Sequence, residues 1–148
     1  MTVDIVTDII INRPVLAVST YASDPDNAPC WYRNIASVEW VTPRGVSVGA
    51  RIAFVAHFLG RRMAYTYEIV EFVPLRRLVM RTAEGPFPME TTYLWDEMGP
   101  DETRMTLRNR GTPSGFSRSF APLVANSMRR ANQKDLALLK RRLETPAA

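Results

Sequence analysis

Five aromatic side chains that fall at alternating positions offer the most chemistry in this sequence. Trp40, Tyr65, Tyr67, Tyr93 and Trp95 each join a broad apolar ring to one polar tip. A buried phenol O–H or indole N–H needs a hydrogen-bond partner. Facing inward together, such rings make a wall that is apolar in bulk with a few polar points, the usual lining of a small-molecule pocket. Phe54, Phe58, Met80 and Met105 share their parity, and Thr82, Thr91 and Asn109 are inward polar groups able to partner them. Core packing accounts for any single ring as well as cavity lining does; for the set, cavity lining is the better account. The candidate ligand-binding residues are therefore Trp40, Phe54, Tyr67, Met80, Thr82, Thr91, Tyr93, Trp95 and Asn109.

Other chemistries lack their parts. One histidine, His57, and one cysteine, Cys30, cannot supply the three or four ligands that zinc or iron usually takes, so no metal site is expected. Parity puts His57 on the outer face beside Arg51, as a solvated side chain. Gly111-Thr-Pro-Ser114-Gly115 has its serine one place away from a nucleophile elbow and follows a meander, so it reads as a turn into a helix capped near Ser114. No G-x-G-x-x-G or Walker loop is present to cradle phosphates. No cofactor is expected.

The composition, 46% hydrophobic and 23% charged in 148 residues, is that of one globular domain spanning 1–148. The net charge of +4 is unevenly spread: residues 1–110 carry 12 basic against 13 acidic side chains, and residues 111–148 carry 7 against 2. Arg129, Arg130, Lys134, Lys140, Arg141 and Arg142 form the basic cluster. With no docking module before it, this cluster reads as the solvated face of a helix, and no nucleic acid is expected as partner. The single cysteine excludes an intrachain disulfide. Acidic residues stand where a signal peptide would be basic, and no apolar run approaches the roughly 20 residues of a membrane helix. The expectation is a cytoplasmic protein without stable membrane insertion; a homodimer is left open.

The elements that position these residues are punctuated by eleven prolines. Val3–Ile11 is β-branched and reads as a strand; Pro14 opens a short helix that ends by Ser23-Asp24-Pro25, and Asp26–Pro29 starts a second one carrying Trp31 and Tyr32. Ala36–Val41, Arg51–Leu59, Met63–Phe72, Arg77–Thr82, Phe87–Asp96 and Thr103–Arg110 follow as strands joined by short turns, hence antiparallel. After Gly115 comes a long amphipathic helix with Phe116, Phe120, Val124, Ser127, Ala131 and Leu138 on one face and Arg118, Arg129 and Lys140 mostly opposite; Pro122 divides its first turn from the rest. Strand alternation puts Ile52, Phe54, Ala56, Tyr67, Ile69, Leu78, Met80, Tyr93, Trp95 and Leu107 on the core face. The fold class is α+β: a curved antiparallel sheet of about seven strands wrapped on a long C-terminal helix, with two short helices after the first strand.

This order resembles the helix-grip fold of the START-like, or SRPBCC, superfamily, in particular its polyketide cyclase/dehydrase-like branch. Ile11-Asn-Arg-Pro14-Val15 with Ser23-Asp24-Pro25 and Pro29-Cys-Trp31, Tyr67 to Leu78, and Asp135 to Glu144 carry the likeness, which covers nearly the whole chain. The resemblance implies a cavity between sheet and helix used by relatives for sterols, lipids, polyketides or hormones. It supplies no shared catalytic motif, so function rests on the site. Cyclising a poly-β-carbonyl chain requires a folded substrate and proton movement at enolisable carbons, for which confinement and a hydrogen-bonding Tyr or acid suffice. Tyr67 and Tyr93 are candidate donors, and Glu71 and Glu90 candidate proton carriers, although solvated strand acids are the simpler account of both. The leading expectation is binding of a small hydrophobic or aromatic molecule in a carrier or sensor role. A polyketide aromatase/cyclase or dehydratase comes second, and an interaction module with a closed core third.

Overall fold

In a computed structural model, residues 2–112 and 121–146 are described, the side chain of Ala121 excepted. Strand β1 (Val3–Ile11) buries Val3, Ile5 and Thr7 in alternation. Pro14, at φ −58°, sits at the N-cap of α1 (Val15–Ser23), so its missing N–H costs nothing. Asp24 ends that helix and starts a single 3₁₀ turn (Pro25–Asn27), its Oδ1 accepting from the Asp26 N–H at 3.0 Å. One turn of helix, α2 (Ala28–Trp31), then buries Trp31 completely.

Six strands follow: β2 (Ile35–Trp40), β3 (Arg51–Phe58), β4 (Arg61–Val73), β5 (Arg77–Glu84), β6 (Met89–Gly99) and β7 (Glu102–Gly111). With β1 they form one antiparallel sheet in the order β1-β7-β6-β5-β4-β3-β2. Leu59 and Gly60, at φ +50° and +77°, make the two-residue β3–β4 hairpin, whose positive-φ pair matches strand twist. β6 starts at Met89 and not at the expected Phe87, because the Met89 N–H donates to Thr82 Oγ1 at 2.9 Å and fixes the hairpin end there.

Helix α3 (Ala121–Glu144) lies against β1 and α2 and completes the helix-grip arrangement. Its C-terminal half is tied down by Lys140 Nζ donating to Ile10 O at 2.8 Å, Asn12 N–H to Glu144 Oε2 at 2.7 Å, and Arg13 Nη1 to Leu143 O at 2.9 Å. The described helix begins at Ala121 and includes Pro122; the turn that Pro122 was expected to divide from the rest lies outside the described residues. The deepest positions are Val124, Asn132, Asp135, Leu136, Leu139 and Leu143, whereas Ser127, Ala131 and Leu138 are only half-buried. The buried stripe is thus rotated from the expected one. Ser114, Phe116, Arg118 and Phe120 lie outside the described residues.

On the inner face Ile52, Ile69, Leu78, Trp95, Met105 and Leu107 join Val18, Trp31, Leu136, Leu139 and Leu143 in one buried cluster, which also takes in Phe54, Tyr67, Met80 and Tyr93. The last four also border a space between the sheet and α3.

Candidate functional site

The space between them is a cavity of about 160 Å³. The strand register explains its walls: Phe54 lies opposite Tyr65, Met80 opposite Thr91, and Thr91 opposite Asn109, so neighbouring strands deliver inward residues side by side. Met128, Ala131, Asn132 and Asp135 of α3 close one side, and Tyr32, Asn34 and Ile35 close the end near α2. Four methionines, Met63, Met80, Met89 and Met128, contribute adaptable apolar surface.

The rings pack on one another: Phe54 stacks on Tyr65 with centroids 5.5 Å apart, and Tyr65 meets Tyr67 edge-on at 5.0 Å. Polar tips are organised in two groups. Tyr32 Oη and Tyr93 Oη lie 2.6 Å apart, so one phenol donates to the other and the receiver's own O–H remains for a third group. Across the sheet runs a second chain, Tyr67 Oη to Thr91 Oγ1 at 2.9 Å, Thr91 Oγ1 to Asn109 Oδ1 at 2.7 Å, and Asn109 Nδ2 to Asn132 Oδ1 at 3.1 Å. Its last member, the Asn132 Nδ2 amide, is buried without a hydrogen-bond partner among the described residues.

Burial keeps the phenols neutral. It pushes Tyr67 up to about 12, with Thr91 pulling slightly the other way, and it raises Tyr93, Tyr32 and Tyr65 well above the usual phenol range. Asp135 is 2% exposed, and desolvation lifts its carboxyl to about 6, against the Arg33 N–H that donates to Oδ1 at 3.1 Å. These groups are hydrogen-bonding phenols beside one carboxyl that changes charge near pH 6.

Of the sequence candidates, Phe54, Tyr67, Met80, Thr91, Tyr93 and Asn109 are brought together on the cavity wall. Three others do not line it. Trp40 ends edge strand β2 opposite Ile52, and its indole turns out to Asp26 Oδ1 at 3.1 Å. Trp95 points inward and is buried in the core cluster without bordering the cavity, edge-on to Tyr93 with centroids 6.0 Å apart. Thr82 is held by the Met89 backbone, accepting from its N–H and donating to its carbonyl at 3.2 Å.

The two glutamates are on the outer face. Glu71 is exposed and lies 3.1 Å from Arg77 Nε; a bulge between Ile69 and Glu71 sets that orientation. Glu90 alternates outward from inward Thr91. Burial alone would raise its carboxyl, but hydrogen bonds from Arg81 and Arg110 outweigh this and hold it below the usual carboxylate range. Neither reaches the cavity as a proton carrier.

Asn34, Arg110 and His57 border the cavity as well, the exposed His57 at a position that alternation assigns to the outer face, and Tyr32, Asn132 and Asp135 are more buried groups of the wall outside the candidate set. The signal for the last two was spacing: Met128, Asn132, Asp135, Leu136, Leu139 and Leu143 recur at helical intervals of three and four. Among the described residues no group of three or more His, Cys, Asp or Glu can hold a metal, and no helix is long and apolar enough to cross a membrane. Arg129, Arg130, Lys134, Arg141 and Arg142 are exposed, while Lys140 is engaged by Ile10 and Glu144.

The family model described as polyketide cyclase/dehydrase and lipid transport matches residues 2–144. Comparison with curated proteins returns no match. Among solved structures, TTHA0849 from Thermus thermophilus superposes with a TM-score of 0.81 at 23% identity, covering 95% of this chain and 96% of that one. A START superfamily protein from Mycobacterium smegmatis gives 0.81 at 12% identity over 95% and 97%. The Zhui aromatase/cyclase from Streptomyces sp. R1128 gives 0.78 at 13% identity over 97% and 94%. At these identities the likeness establishes the fold.

Proposed function

The chain belongs to the polyketide cyclase/dehydrase and lipid transport family of the START-like superfamily, and from that premise we propose that it encloses a small hydrophobic or aromatic molecule between sheet and α3, as a cytoplasmic carrier or sensor. One observation carries the reading: the inner sheet face and α3 leave between them an apolar space edged by phenols and amides. A chain selected only for stability would close that space, since each unfilled methyl-sized void costs about 1 kcal/mol. Phe54, Tyr67, Met80, Thr91, Tyr93 and Asn109 supply the ligand wall from the sheet.

Size bounds the occupant. A cavity of roughly 150 Å³ holds one benzene ring, and drug-sized ligands occupy roughly 300 Å³ or more. At about 160 Å³ the space takes a single ring as it stands; a longer molecule requires the methionines to swing aside.

Asp135 favours a second reading, an aromatase/cyclase or dehydratase, because its carboxyl lines the same cavity and could take a proton from an enolisable carbon. Mass spectrometry of small molecules extracted from natively purified protein tests the first reading, which expects a stoichiometric apolar species. Protein that carries no ligand and binds no apolar probe would refute both. Turnover of a polyketide-like substrate that is lost in Asp135→Asn would move the balance to the second.

A further inference from the structure

We infer that the cavity selects an uncharged, single-ring molecule bearing one hydrogen-bond-accepting oxygen, a ketone, aldehyde or amide, and that Asn132 is the residue that reads that oxygen. The inference rests on the proposal that the cavity binds a ligand and narrows the chemical class.

Proton directions follow from the hydrogen bonds. Thr91 has one O–H, which it donates to Asn109 Oδ1, so Tyr67 must donate to Thr91. Asn109 then donates through Nδ2 to Asn132 Oδ1. Asn132 is thereby held by its oxygen, with its NH₂ group unpartnered among the described residues although the residue is 5% exposed and lines the cavity. A buried amide donor left unpaired is strongly disfavoured, and an acceptor oxygen on a ligand resolves it.

Charge excludes the common anionic alternative. Asp135, one helical turn from Asn132, presents its carboxyl to the same space. Among the described residues, Arg110, which lines the cavity, is paired with Glu90, Arg33 does not line it and acts on Asp135 through its backbone N–H and its charge, and His57, which also lines it, is exposed. A carboxylate set beside Asp135 would be desolvated next to a like charge with no unpaired guanidinium on the wall, which is costly in a low-dielectric site. The space of about 160 Å³ matches a body of one ring with the methionines as they stand, and Phe54, Tyr65, Tyr67 and Tyr93 offer it aromatic faces.

The test is calorimetric or NMR titration of the full chain at pH 8 with three probes of matched shape: acetophenone, ethylbenzene and benzoate. Acetophenone should bind about tenfold more tightly than ethylbenzene, and benzoate at least as much more weakly than acetophenone. In Asn132→Leu the preference for acetophenone over ethylbenzene should disappear while ethylbenzene still binds. The wild-type ranking stands by itself if that variant does not fold. Ethylbenzene binding as tightly as acetophenone, or benzoate binding equally well, would overturn the selection of an uncharged acceptor and leave cavity binding intact. Failure of all three probes to bind would overturn cavity binding and this inference together.

Discussion

Replacing Asp135 with asparagine isolates the electrostatic consequence of setting a carboxyl into this cavity. Desolvation lifts the folded-state pKa from 3.8 to about 6, so the folded protein keeps a proton over a range in which the unfolded chain has released it. Below about pH 4 both states are protonated and the carboxyl costs nothing. Between about pH 4 and 6 the folded state keeps its proton while the unfolded chain has lost its own, so stability falls across that window by about 3 kcal/mol in all, two pKa units at 1.36 kcal/mol each, and is level above it. Asparagine retains an oxygen for the Arg33 N–H and never ionises. Urea unfolding at whole pH steps from 4 to 8 should therefore show Asp135→Asn gaining on the wild type, from a small constant offset at pH 4 to about 3 kcal/mol beyond it at pH 8. Because Asp4, Glu90 and Glu144 are shifted the other way and are common to both proteins, the difference is the quantity to read. A difference that is flat with pH, or a variant that loses stability relative to the wild type as pH rises, would refute the reasoning.

The remaining predictions concern packing, backbone and face. Leu139→Ala, at a fully buried position of α3, should cost about 2–5 kcal/mol in urea or thermal unfolding. Leu59→Asn should stabilise by about 1 kcal/mol, since Leu59 is half-exposed at φ +50° in a hairpin position that asparagine tolerates better. Glu71→Gln and Glu90→Gln should leave ligand affinity unchanged in titration, both side chains lying on the outer face. Ala56→Leu should fill part of the cavity and weaken any ligand at least tenfold while the protein remains folded by circular dichroism.

Strand alternation made the faces of the sheet legible in the sequence. Phe54, Tyr67, Met80 and Tyr93 fall inward because side chains two apart share a face, and the short turns between strands leave no room for crossovers. The same period says nothing of depth along the sheet. Trp95 has the parity of Tyr93 and lies two residues further on, yet that step takes it off the cavity wall while it stays in the same buried cluster. Trp40 departs for a different reason: at the end of an edge strand its indole found the Asp26 carboxylate. Asn132 and Asp135 are polar residues on the buried stripe of α3, which lies to one side of the face marked by Val124, Ser127, Ala131 and Leu138. Tyr32 follows a single helical turn, too short for any periodicity to aim it, and its position across the cavity from β4 is a tertiary outcome.

The cavity contains its own reporters, and they provide the most direct measurement of whether it takes a ligand. Met63, Met80, Met89 and Met128 line it, whereas Met105 is fully buried without lining it and Met98 is exposed at the far end of β6. In protein labelled at the methionine methyls, titration with ethylbenzene should shift the four cavity signals along one saturable isotherm and leave those of Met98 and Met105 in place. Cavity signals that do not move at saturating ethylbenzene, or a response from Met98 or Met105 as large as theirs, would contradict the account.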